Sequence, residues 1–215
     1  MEENLVLLKD VCYNKQVKQR EMIHLQYSIL EKAIRFAVDA HAGQKRKDGS
    51  AFILHPLEDA AIVGTLTDDQ EILAAAVLHD TVEDTDTTEE DILRVFGARV
   101  CALVMGETED KRPAAPPEET WRVRKEESLQ ALAKAEDPAV RMLWLGDKLA
   151  NLRTLDREHE ALGIRVFDRF NNKDPLDQKW YYGTILELLG MFADTPAYRE
   201  YSLRFHHIFD GYEGE

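Results

Sequence analysis

His79-Asp80, with Glu83-Asp84 three residues later, closes the apolar run Ala74-Ala75-Ala76-Val77-Leu78. A helix whose other side chains call for burial thus delivers one imidazole and three carboxylates to a single place. Packing has no use for so much acid, because a buried carboxylate must be paired or must coordinate a cation. A divalent cation with a water to activate has a use for all of it. His55, in Ile53-Leu54-His55-Pro56, and Asp147, in Leu145-Gly146-Asp147-Lys148-Leu149, complete a candidate ligand set of His55, His79, Asp80 and Asp147. Their long separations point to a site assembled between helices, since structural zinc sites pair their ligands within a few residues. Mixed nitrogen and oxygen donors, with room left for a water and a substrate oxygen, suit Mn²⁺, Fe²⁺ or Mg²⁺. Taken singly, each residue has a plainer use: His55 can cap the helix that Pro56 opens, and Asp80 can cap a helix end.

Glu83 and Asp84 fall one helical turn beyond Asp80, close enough to orient or deprotonate a water without ligating the metal. The alternative is a solvated helix C-terminus, where acids would oppose the helix dipole. Upstream, Lys45-Arg46-Lys47 forms a local positive cluster before His55. Arg46 and Lys47 can stack on a base or hold phosphate oxygens; otherwise they are an exposed basic turn before Gly49.

The elements that must position these groups all read as helices. Leu30, Ala33, Ile34, Ala37, Val38 and His41 recur at three- and four-residue spacing, predicting a helix that ends near Gly43. Pro56 fits the first turn of a second helix. Asp68 with Glu71, and Thr87 with Glu90, predict capping boxes for the helix ending around His79 and for a short helix stopped at Gly97. Ala98 to Glu107 is another helix. Pro113, Pro116 and Pro117 mark Lys111 to Thr120 as a loop. Trp121 to Ala135 reads as a charged surface helix, and Val140, Leu143, Leu145, Leu149 and Leu152 as the apolar helix carrying Asp147. Residues 156–175 are expected to be mostly irregular, before helices introduced by Asp174-Pro175 and Thr195-Pro196. No sustained alternation suggests a strand, so the fold class is all-α. The expected division is an N-terminal extension over 1–20, a catalytic domain over 21–155 and a helical tail over 156–215 packed on it.

Composition bounds the partners. The 215 residues carry 27 Lys and Arg against 41 Asp and Glu, a net charge of −14. Nucleic acid and anionic membrane both need a basic footprint, so neither is expected as a partner. A small phosphorylated nucleotide remains open, because distant exposed charges are screened beyond ~8–10 Å and the local field decides. The acidic start Met1-Glu2-Glu3-Asn4 does not resemble an export signal, and two cysteines make no disulfide framework. Cys101 reads as a small core hydrophobe, and the expected compartment is the cytoplasm.

Five segments in order carry a resemblance: His41-Ala42-Gly43-Gln44-Lys45-Arg46-Lys47-Asp48-Gly49, Ile53-Leu54-His55-Pro56-Leu57, Leu78 to Thr85, Phe96-Gly97-Ala98-Arg99-Val100, and Asp147-Lys148-Leu149-Ala150-Asn151-Leu152-Arg153. The series resembles the hydrolase domain of the RelA/SpoT homologues in the HD superfamily, especially the single-domain small alarmone hydrolases, over roughly residues 25–155. The resemblance implies an HD-type bundle of helices with metal ligands at His55, His79, Asp80 and Asp147. It puts the water-activating pair at Glu83 and Asp84, the basic pair beside the base at Arg46 and Lys47, and a residue near the sugar at Asn151. The implied enzyme is a Mn²⁺-dependent hydrolase that removes the 3′-pyrophosphate from guanosine tetra- or pentaphosphate. No synthetase domain of the long bifunctional enzymes is expected. Rival readings keep the fold: an HD-type phosphatase acting on another phosphorylated nucleotide such as NADPH, or a nucleotide sensor without turnover. Ala51-Phe52 stands where the family commonly has Pro-Tyr, and Gly146 replaces the usual alanine before the last ligand, a small change on this reading. Lys173, Tyr181 and Tyr182 in the tail are candidates for phosphate contact, with packing as the aromatics' other use.

Overall fold

A computed structural model describes residues 27–112 and 114–212; the predicted extension over 1–20, Cys12 and Pro113 lie outside them. Among the described residues the secondary structure is helical, apart from one isolated antiparallel bridge between Lys45 and Ala51. The helices are α1 (Ile29–Ala40), α2 (Leu54–Val63), α3 (Gln70–Leu78), α4 (Thr81–Asp84), α5 (Glu89–Phe96), α6 (Ala98–Met105), α7 (Pro117–Lys134), α8 (Pro138–Leu162), α9 (Pro175–Leu188) and α10 (Pro196–Phe209). Short 3-10 turns cover Gly163–Arg169 and Gly190–Phe192. No helix among them is long and apolar enough to cross a membrane.

Two helices organise the rest. From Ile72 to Leu78 every residue of α3 is buried, the pattern of a helix surrounded on all sides. It packs against α1, α2 and α6 in an aliphatic core containing Ala33, Ala37, Leu78, Ile92, Val100 and Leu143. The 25-residue α8 packs against α2 on one side and α10 on the other. It contributes Trp144, Leu145, Leu149 and Leu152 to a second, aromatic core with Trp121, Phe167, Tyr201 and Phe209. Because α8 serves both cores, Asp147 sits where they meet.

Helix ends follow the expected chemistry with shifts of register. Ser28 and Glu31 form a capping box at α1. At α3 the cap is Asp69, which accepts from the Glu71 N–H, rather than Asp68. At α5 the box is Thr88 with Asp91, one residue after the expected Thr87 and Glu90. Each cap lies nearest the first buried residues of its helix, so packing chose between adjacent candidates. The helix expected to begin at Trp121 begins at Pro117, where proline's missing N–H is no loss. Residues 156–175 were the largest departure. α8 continues to Leu162 and a 3-10 turn follows, with Leu155, Asp156, Val166 and Phe167 buried. Cys101 is buried in the aliphatic core, as expected.

Candidate metal centre

Four of the residues singled out in the sequence converge. His55 comes from α2, His79 follows α3, Asp80 opens α4, and Asp147 comes from α8. Oδ1 of Asp147 lies 3.0 Å from His55 Nε2 and 3.8 Å from His79 Nε2. Oδ2 of Asp80 lies 3.6 Å and 3.2 Å from the same two nitrogens. Ligands at ~2.0–2.4 Å around one ion lie within a few ångströms of one another; the donor atoms of His55, His79 and Asp80 meet that requirement together, and Asp147 approaches both imidazole nitrogens. His55, His79 and Asp147 are buried; Asp80 keeps one side open.

The hydrogen bonding selects a tautomer that fits a cation. His79 Nδ1 lies 2.8 Å from the carbonyl oxygen of Ala76, which can only accept, so Nδ1 carries the hydrogen. With Nδ1 holding its hydrogen, a ring that gives up the Nε2 proton would turn that lone pair toward the carboxylates. That nitrogen is buried and has no hydrogen-bond partner in the protein, the arrangement expected of a metal ligand. His55 is held from behind by Phe52, whose ring meets it edge to face at 6.4 Å and stacks on His41 at 4.6 Å. The phenylalanine that departs from the family's tyrosine therefore supports a candidate ligand by packing.

Asn151 joins the centre to the basic segment. Its Nδ2 donates to Asp147 Oδ1 at 2.6 Å, and its Oδ1 accepts from Arg46 Nη2 at 2.7 Å. Asp147 also pairs with Lys148, which burial disfavours as a cation but which Asp147 and Glu107 keep charged. Glu83 is part-buried on the far side. Burial pushes its carboxyl above the usual range, and the Lys111 ammonium, 3.3 Å away, opposes that. Its Oε2 accepts from the Glu109 N–H at 3.2 Å. Asp84 pairs with Lys111, and its carbonyl accepts from Gln44 Nε2 at 2.8 Å. The His41-to-Gly49 segment is thereby tied to the turn that carries both acids.

These groups line a cleft of about 460 Å³ that also receives Lys45, Lys47, Lys125 and Arg169. Lys47 Nζ stands 4.9 Å over the Phe170 ring. Tyr181 and Tyr182 line the cleft while buried in the aromatic core; burial pushes the Tyr182 phenol up to about 12. Lys173 is exposed and does not line it.

Four participants were missed in the sequence. Lys111 lay in the proline-rich stretch read as a loop, and Lys125 on a helix read as solvated. Asp59 and Glu107 are fully desolvated carboxylates without hydrogen-bond partners. Asp59 follows His55 by four residues, which puts both on one helix face; that spacing was the available signal. Glu107 is pushed up to about 8 by burial, with Asp147 adding to it.

Comparison with known proteins places this arrangement. The chain is 44% identical over 126 residues to the guanosine-3′,5′-bis(diphosphate) 3′-pyrophosphohydrolase of Aquifex aeolicus, a match covering 59% of this chain but 18% of that protein. It is 41% identical over 135 residues to the Danio rerio enzyme guanosine-3′,5′-bis(diphosphate) 3′-pyrophosphohydrolase MESH1, covering 60% of this chain and 71% of the other. A solved structure of a metazoan ortholog of SpoT that hydrolyzes ppGpp aligns with a TM-score of 0.64 at 24% identity, over 86% of this chain and 96% of that one. At that identity the likeness speaks for the fold. The family model for the HD domain matches residues 33–174, a span that holds all four candidate ligands, Glu83 and Asp84, and the Arg46–Asn151 link. The chain belongs to the HD domain family.

Proposed function

We propose that the chain is a divalent-metal-dependent phosphohydrolase that removes the 3′-pyrophosphate from guanosine tetra- or pentaphosphate, with Mn²⁺ as the cation. The observation that carries this reading is the continuous path Arg46–Asn151–Asp147, which joins the basic segment to the His/Asp cluster in the cleft that also holds Glu83. The names of the Aquifex aeolicus and Danio rerio relatives support the substrate.

His55, His79, Asp80 and Asp147 would hold the cation, which supplies a Lewis acid able to acidify a bound water and polarise a phosphoryl group. Glu83 is the base: its raised pKa lets it hold the proton it takes as the water oxygen bonds to phosphorus. The bond from that phosphorus to the ribose 3′-oxygen breaks, and the leaving oxygen takes a proton from solvent to become the 3′-hydroxyl. Lys111 pairs with both Glu83 and Asp84 and so holds the two acids together. Lys45, Lys47 and Arg169 offset the charge of the phosphates, which the acidic surface would otherwise repel. The part of the chain over 21–155 supplies the chemistry, and the tail, through Phe170, Tyr181 and Tyr182, closes the same cleft.

The test is a panel of phosphorylated nucleotides assayed with Mn²⁺, following pyrophosphate and orthophosphate separately. Guanosine tetraphosphate should give GDP and pyrophosphate in equal amounts. Faster cleavage of NADPH with release of orthophosphate would overturn the substrate assignment and leave the phosphohydrolase intact. Saturable binding with no turnover of any nucleotide would favour the sensor.

A further inference from the structure

Asp59 and Gly146 occupy the same few cubic ångströms behind the metal centre. Asp59 is fully buried on α2, and its Oδ2 lies 3.2 Å from His79 Nδ1. The Nδ1 hydrogen is aligned on Ala76, so Asp59 touches the imidazole from the side, and neither carboxylate oxygen has a hydrogen-bond partner. Such a group is costly to bury, and among the described residues the compensation beside it is the His79 imidazole, with whatever positive charge lies on the ring's far side. Gly146, the residue before Asp147, makes the room. A Cβ there would stand 2.0 Å from Asp59 Oδ1 and 2.7 Å from Val63 Cγ2. The exchange of the family's usual alanine for glycine is therefore not a small change, because alanine and this carboxylate cannot both be present without a shift.

We propose that Asp59 is a positioning residue of the metal centre, holding His79 with Nε2 turned to the cation, and that residue 146 is glycine to admit it. This rests on the metal-dependent reading above. A carboxylate behind a ligating histidine fixes ring orientation and strengthens the ligand, and its loss typically weakens metal binding by ~10–100-fold. The two roles open to Asp59 predict opposite signs. A packing residue stabilises the metal-free protein and leaves metal affinity alone. A carboxylate retained for the centre burdens the metal-free protein and appears in metal affinity.

The experiment compares full-length wild type, Asp59→Asn, Gly146→Ala and the double variant Asp59→Val/Gly146→Ala. Calorimetry gives the Mn²⁺ dissociation constant, and thermal melts in chelator give the stability of the metal-free fold. Asp59→Asn should weaken Mn²⁺ binding by about 10–100-fold with a metal-free Tm equal to or above wild type. Gly146→Ala should lower both stability and affinity. In the double variant valine ends short of Oδ1, so the 2.0 Å clash is relieved and the contact with Val63 remains: the metal-free Tm should recover in part relative to Gly146→Ala while Mn²⁺ binding stays weak. Wild-type affinity, within twofold, in either variant lacking the Asp59 carboxylate would overturn the proposal. So would a metal-free Tm lowered in both of them, or failure of both to fold, since each marks a packing role. Absence of saturable Mn²⁺ binding by wild type would instead remove the metal-dependent reading itself.

Discussion

Glu83 is separated from its neighbour Asp84 by environment more than by sequence. Both pair with Lys111, but Glu83 also accepts from the Glu109 N–H, and burial pushes its carboxyl above the usual range. The proton-accepting role proposed above would therefore fall on Glu83, and Glu83→Gln preserves shape while removing the proposed base. Turnover should fall by ~10²–10⁴-fold with the Mn²⁺ dissociation constant unchanged within twofold; steady-state kinetics beside calorimetry reads both. Turnover near that of wild type would return Glu83 to a solvated helix end. At this scale the sequence pointed to the cluster, because His79-Asp80 is a local pattern at the end of an apolar run. It could not show Lys111 or Glu107, whose importance depends on where the segment after α6 turns. Asn151 gained meaning only through contact with Arg46, 105 residues away.

Helices were easier to read than their limits. The burial of Ala33 and Ala37 in α1, and of Leu145, Leu149 and Leu152 in α8, follows three- and four-residue spacing directly. The caps at α3 and α5 were displaced by one residue because adjacent polar residues offer equivalent side chains. Residues 156–162 looked irregular because Arg157, Glu158, His159 and Glu160 conceal the buried Leu155 and Asp156. Punctuation by glycine was more dependable. Gly97 joins α5 to α6 at φ +87° and ψ 173°, a conformation nearly restricted to glycine. Gly97→Ala should destabilise the protein by about 1–3 kcal/mol, seen as a lower midpoint in denaturant. Because α5 and α6 supply no ligand, Mn²⁺ affinity should stay at the wild-type value; a matching loss of affinity would mean that α3 is not held independently of that corner.

As a whole, the molecule places a concentration of buried charge where its aliphatic and aromatic cores meet. Without metal, that arrangement should make stability depend on pH in a direction opposite to ordinary ion-paired carboxylates. Glu107 is raised from 4.5 to about 8, so the folded state binds more protons than the unfolded state between those values. Stability of the chelated protein should therefore fall as pH rises from about 4.5 through about 8, by up to ~1.4 kcal/mol per pH unit for one such proton. Asp59 and His79 are also raised and act in the same direction. Glu107→Gln should flatten the slope, and thermal melts in chelator across this range measure it; a wild-type slope of opposite sign would contradict the burial assigned to these groups. A bound cation should oppose the loss, since whatever binds only the folded state stabilises it.

The account stands on one cation held by His55, His79, Asp80 and Asp147. Its most direct test is metal content and turnover measured together on wild type and Asp80→Ala after loading with Mn²⁺ and removal of the excess. Wild type should retain about one Mn²⁺ per chain and hydrolyse its nucleotide, while Asp80→Ala, folded by circular dichroism, should lose both. An Asp80→Ala protein that carried as much Mn²⁺ as wild type would contradict the assignment of the centre.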